Sequence, residues 1–145
     1  DLNTGDNVEL NFWKIAIRPG KPLMFAHVQD IPFIGLPGNP VSAGVCALVF
    51  VIPAIQKCLG LDTDQPAETA ILTQELKEND RRQDYLRAQI TTDASGRRMV
   101  TAMAKQDSSM LSHFSSADAL IIRQPHAPEA QAGDEVPILS LPQML

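Results

Sequence analysis

Cysteine is scarce in this 145-residue chain, which has two, Cys46 and Cys58. Both fall within or at the end of one predicted helix, whose rise would hold them about 18 Å apart, far beyond the reach of a disulfide. Two reduced thiols fit a cytoplasmic protein, and no charged leader with a cleavable apolar segment opens the chain. The three histidines, His27, His113 and His126, share no ligand-like spacing with the cysteines, which argues against a structural zinc site. Basic residues are also few: 12 Lys and Arg against 17 Asp and Glu give a net charge of -5, without the basic stripe that nucleic-acid binding needs. There is no repeat or low-complexity tract, and 44% apolar with 20% charged residues marks a globular chain.

Nor is there a long uninterrupted apolar run. Val41 to Ile55 comes nearest, but it contains Ser42, Gly44 and Pro53 and ends at Gln56-Lys57, short of the roughly 20 residues a membrane span requires. A buried helix is expected, apolar on every face, with one side on a sheet and the other on a further layer or a second subunit. Pro53 should kink it or begin a new helix, and Leu59-Gly60 should end it.

What is present concentrates in two stretches. Ile34-Gly35-Leu36-Pro37-Gly38-Asn39-Pro40-Val41-Ser42-Ala43 joins an apolar strand to a capped helix. Asn39 is a favoured N-cap, Pro40 suits the first helical position, and Gly38 can take backbone angles closed to other residues. The amides at such a helix start, carrying about +0.5 charge, favour a phosphate, carboxylate or molybdate oxyanion. Upstream, Trp13-Lys14-Ile15-Ala16-Ile17-Arg18-Pro19-Gly20-Lys21-Pro22 reads as a strand ending in two cations around a Pro-Gly turn. Arg18 offers a planar fork and Lys21 a point charge, each worth about 4 kcal/mol of attraction at ~4 Å and an effective dielectric near 20, before desolvation offsets much of it. The plainer reading is a turn whose cations are simply solvated.

The paired blocks FWKIAIRPGKPLMF and FIGLPGNPVSAGV, in this order, resemble the molybdopterin molybdenumtransferase family, known as MoeA in bacteria and as the E domain of gephyrin in animals. The resemblance implies insertion of molybdenum from molybdate into adenylylated molybdopterin (molybdopterin-AMP) with release of AMP, assisted by Mg2+. It also implies a homodimer and a MogA-like adenylyltransferase as a partner, with no nucleic acid or membrane involved. Further along, Gln83-Asp84-Tyr85-Leu86-Arg87-Ala88 looks like the family's strand ending in a functional arginine, and Gln106-Asp107-Ser108-Ser109 like its serine-bearing turn. The implied site is then Lys21 and Arg87 as catalytic residues, with Arg18, Pro37, Gly38, Asn39, Ser42 and Ser108 binding substrate and no metal ligand among them. Arg18 stands where the family more often has lysine. Asp107 replaces a common glycine and adds a negative charge beside the serine.

The expected fold class is α/β: the C-terminal part of a MogA-like three-layer domain over residues 1–62, then a small, mostly β, barrel-like domain over 63–145. Strands are expected near 12–18, 22–28 and 31–36 before the helix, and near 69–73, 85–91, 98–103, 119–123 and 136–141 after it, with a short helix at 108–116. The family's upstream glycine- and serine-rich motif and earlier acids have no counterpart here, so the chain by itself is expected to lack transferase activity. Ser108, Ser109 and His113 lie close in sequence, but a hydrolase also needs an orienting acid and an oxyanion hole. The alternative from another class is a non-catalytic module that dimerises or recruits a protein through an apolar groove on the β part, with Met99, Met103, Met110 and Leu111 as candidates.

Overall fold

The computed structural model describes residues 8–63, 68–104, 106 and 116–142. The chain divides into two compact units, Asp1–Thr63 and Asp64–Leu145.

In the first unit, β1 (Val8–Trp13), β3 (Met24–Val28) and β4 (Ile31–Gly35) form an antiparallel sheet in the order β1-β3-β4, and β2 (Ile17–Arg18) is a two-residue strand outside that sheet. The single strand expected over 12–18 is therefore broken. Lys14 adopts φ 74 and turns the chain, its amide donating to Leu23 O (3.0 Å) and that of Ile15 to Lys21 O (3.0 Å). Gln29 and Asp30, at φ 52 and 65, make the tight turn between β3 and β4, the left-handed pair that matches hairpin twist. The register stacks Leu10, Ala26 and Phe33 in one row and Phe12, Phe25 and Ile34 in the next. Successive residues point to opposite faces, so both faces are apolar.

The helix follows the expected start. Asn39 is the N-cap and Pro40 opens α1 (Pro40–Cys46). A π-helical turn, Ala47–Val51, then leads into α2 (Ile52–Cys58), with Pro53 near its start. Proline lacks an amide donor and its ring crowds the carbonyl four residues earlier; the wider π turn carries the chain past this without a break. The end is a Schellman motif: Gly60, at φ 72, donates to Lys57 O and Leu61 to Gln56 O.

Two expectations for this helix are corrected. Pro40–Cys58 runs 19 residues with mean hydropathy 1.8, so by length and composition it could cross a membrane. It is also not buried throughout. Val41, Ser42, Val45 and Cys46 are buried, but Ile52, Ile55 and Leu59 are exposed.

In the second unit β5 (Glu68–Leu72), β6 (Gln83–Thr92), β7 (Arg98–Ala102), β8 (Ala119–Arg123) and β9 (Glu135–Ser140) pair in the order β6-β7-β5-β9-β8, and β6 also pairs with β8, closing a small barrel. The β5–β7 pairing is parallel. Ala70, Ala88, Ala102 and Ala119 leave room for Leu72, Val100, Ile121, Val136 and Ile138 to fill the interior, as a barrel this narrow requires. The β6–β7 turn is built by Asp93, whose carboxylate accepts from the amides of Ser95 (2.8 Å) and Arg97 (2.9 Å) and from Arg97 Nε (2.8 Å). The Ser95 hydroxyl, which donates to it at 2.7 Å, and then the Arg97 amide hold its carboxyl well below the usual carboxylate range. The helix expected at 108–116 falls almost wholly outside the described residues.

Candidate functional site

The cationic turn of the first unit is fixed by a close approach. Arg18 and Lys21 are exposed on either side of Pro19 and Gly20, with the Arg18-Pro19 bond cis. Gly20 has φ 117, and a Cβ there would lie 2.6 Å from Cys46 Sγ and 2.8 Å from Ile17 Cδ1. Only glycine fits, in conformation and in space. The turn is thereby seated against the last residue of α1, with Cys46 Sγ 3.9 Å from Gly20 O and the Leu23 amide donating to the same oxygen at 3.1 Å. Burial pushes the Cys46 thiol up to about 11, so it packs as a neutral side chain.

At the helix start, Asn39 Oδ1 accepts from the Ser42 amide (3.1 Å) and from Ser42 Oγ (3.3 Å). Both side chains are thus occupied with the cap, and the buried Ser42 hydroxyl spends its proton there. The Ala43 amide bonds to Asn39 O (2.8 Å) and Pro40 has no amide proton. Among the described residues the Val41 amide is the first-turn donor without an intrachain acceptor, so the anion-receptive start is narrower than the sequence suggests. Gly38 has no left-handed φ, and a Cβ there would meet nothing within 4 Å. Neither conformation nor packing demands glycine at this exposed position, which leaves open space beside the helix start. Pro37 is buried.

In the second unit Arg87 lies in the middle of β6, not at its end, and is 2% exposed. Its neighbours Leu86 and Ala88 line the barrel, so Arg87 and Tyr85 belong to the outer face, where both are buried. The residue that sequence reasoning missed as a contributor is Gln106. Its Oε1 accepts from the Arg87 amide at 3.0 Å and lies 3.5 Å from Arg87 Nε, while its Nε2 donates to Arg87 O (2.9 Å) and Met103 O (2.8 Å). No periodicity marks such a residue; its one sequence signal is its place directly before Asp107-Ser108. Both of those lie outside the described residues.

The remaining polar clusters serve the barrel. Arg98 donates to Glu68 (2.6 Å) and Ser140 Oγ (2.7 Å), and the Glu68 carboxyl is lowered chiefly by its bond from Arg98. A groove of about 380 Å³ beside the β8–β9 loop, bordered by Arg123, Glu129 and Asp134, contains none of the predicted site residues. Among the described residues no three His, Cys, Asp or Glu side chains come together as metal ligands.

The chain thus joins, in sequence, an α/β unit with a capped helix start and a turn bearing Arg18 and Lys21 to a small β-barrel unit carrying a buried arginine. Residues 4–57 match the family described as "Probable molybdopterin binding domain", and residues 69–141 match "MoeA C-terminal region (domain IV)". The chain belongs to the MoeA family of molybdenum-cofactor biosynthesis proteins. It is 36% identical over 132 residues to the molybdopterin molybdenumtransferase of Haemophilus influenzae, covering 90% of this chain and 33% of that protein. It is 31% identical over 142 residues to molybdopterin molybdenumtransferase 2 of Mycobacterium tuberculosis, covering 97% of this chain and 34% of that one. The chain thus spans about a third of the length of these curated relatives. A molybdopterin biosynthesis MoeA protein from Pyrococcus horikoshii superposes with a TM-score of 0.72 at 24% identity, over 89% of this chain and 31% of that one, and so supports the fold.

Proposed function

We propose that this chain works as the C-terminal part of a molybdopterin molybdenumtransferase, which inserts molybdate into adenylylated molybdopterin and releases AMP. The observation that carries the reading is the consecutive match of residues 4–57 and 69–141 to the two domains of that family in this order. In this reading residues 1–62 hold the anionic ligand and residues 63–145 form the second domain.

Arg18 and Lys21 hold anionic oxygens of the pterin phosphate or molybdate, and the open side of Gly38 admits the ligand to the helix start capped by Asn39. Pro37 and the Asn39–Ser42 bond keep that start in place. Arg87 and Ser108 act from the barrel unit. Charge placed before the reaction and kept in position is the main source of catalysis in this reading. Mg2+ accompanies the reaction in the family resemblance, but the described residues contain no matching carboxylate set, and no step here is assigned to it. The protein works in the cytoplasm as a homodimer and takes its adenylylated substrate from a MogA-like adenylyltransferase.

The competing reading is an assembly module that dimerises or recruits a protein through an apolar groove on the β part. The large apolar side chains exposed among the described residues, such as Trp13, Ile31 and Phe33, all lie in the first unit, whereas Met99 and Met103 of the barrel are partly buried and Met110 and Leu111 are not described. Complementation separates the two. Full-length protein should restore molybdenum-enzyme activity to cells lacking the transferase, and stable expression without rescue would favour the assembly module.

A further inference from the structure

We propose that Gln106 is a positioning residue for Arg87, holding the strand that carries the guanidinium by acting as a substitute for a strand residue. This rests on the reading of Arg87 as a contact to the anionic ligand. The regular β6–β7 ladder ends at the pair Ala88 and Ala102. One residue further the Met103 amide still donates to Arg87 O at 2.9 Å, and there β7 leaves the barrel. Arg87 is buried, and a buried backbone amide needs an acceptor. The Gln106 carboxamide meets it. A primary amide presents the same donor and acceptor as a peptide group, and here it does both: Oε1 accepts from Arg87 N–H while Nε2 donates to Arg87 O. The ladder gains one rung made from a side chain.

Two further contacts give that rung its function. Nε2 also donates to Met103 O at 2.8 Å, so one side-chain amide clasps Arg87 and Met103 together. Oε1 lies 3.5 Å from Arg87 Nε, so the same atom that fixes the backbone also borders the root of the guanidinium. Gln106 does not need to touch the ligand. It restricts where the Arg87 side chain begins.

The test uses the full-length protein and calorimetric binding of adenylylated molybdopterin to wild type, Gln106→Met, Arg87→Ala and the double variant, together with hydrogen exchange. Met keeps the side-chain length and removes the carboxamide. Gln106→Met should speed exchange of the Arg87 amide relative to the β6 amides further from the clasp, and weaken binding by about tenfold, the scale of losing a hydrogen bond to a buried group. The double variant should bind no worse than Arg87→Ala, because both changes act through one guanidinium. Wild-type affinity in Gln106→Met while Arg87→Ala is weakened, or a double variant whose losses multiply, would overturn the inference. If Arg87→Ala itself binds like wild type, the reading of Arg87 as a ligand contact fails instead, and the exchange result still reports whether the clasp exists. An unprotected Arg87 amide in the wild type would overturn the clasp directly.

Discussion

Replacing Gly20 by alanine should destabilise the first unit strongly. The new Cβ would stand 2.6 Å from Cys46 Sγ and 2.8 Å from Ile17 Cδ1, at φ 117. Overpacking of a filled site costs about 1–3 kcal/mol, and forcing an L-residue to positive φ adds about 1–2 kcal/mol, so the total is about 2–5 kcal/mol. That is a large share of the typical 5–15 kcal/mol of a domain. The Leu23 amide, which donates to Gly20 O at 3.1 Å, is the natural reporter, and its hydrogen exchange should accelerate by about thirtyfold or more. The two costs separate in a double variant. Cys46→Ala removes the sulfur but leaves the backbone angle, so Gly20→Ala with Cys46→Ala should recover at least about 1 kcal/mol relative to the sum of the single changes. Strict additivity, or a Gly20→Ala protein as stable as wild type, would refute the seating of the cationic turn on α1.

Other expectations follow from single contacts. Asn39→Ala should cost about 0.5–2 kcal/mol in stability measured by urea unfolding, since it removes the acceptor for both Ser42 groups; a neutral result would deny the cap. The Glu68 carboxyl is lowered by Arg98 and Ser140, so its contribution is present above the ordinary carboxyl pKa and is lost as pH falls through the lowered folded value. Exposure limits that contribution to about 1 kcal/mol or less. Glu68→Gln should flatten this part of the acid-unfolding profile, and an unchanged pH dependence would count against the pairing. With burial raising the Cys46 thiol to about 11 and Cys58 exposed, maleimide at pH 8 should label Cys58 alone until denaturant is added; prompt labelling of both would contradict the packing of Cys46.

Features written in local chemistry were legible in the sequence. Asn39-Pro40 announced a helix start and Leu59-Gly60 its end because capping depends on a few adjacent residues. The barrel strands could be read from alternation, since side chains facing the interior recur every second residue. The break at Lys14 could not, because the apolar alternation runs on across it and lysine has no preference for positive φ. The exposure of Ile52, Ile55 and Leu59 was equally hidden: an apolar pattern says that a face is suited to burial, not what covers it. At the candidate site the residue types were legible and the wiring was not. Ser42 could be picked as a hydroxyl near the helix start, but its bond to Asn39 is a matter of cap geometry. Gln106 acts through a backbone contact 19 residues away in sequence, and no spacing rule marks that.

The most direct test of the account is the affinity of the full-length protein for adenylylated molybdopterin, measured by calorimetry in the wild type, Lys21→Ala and Arg87→Ala. In the proposed function Lys21 and Arg87 each contact the anionic substrate, and each contact should be worth at least about tenfold, so both variants should bind more weakly, with Lys21→Ala unfolding at the wild-type temperature. Wild-type affinity in both would contradict the assignment of this chain's cations to the substrate.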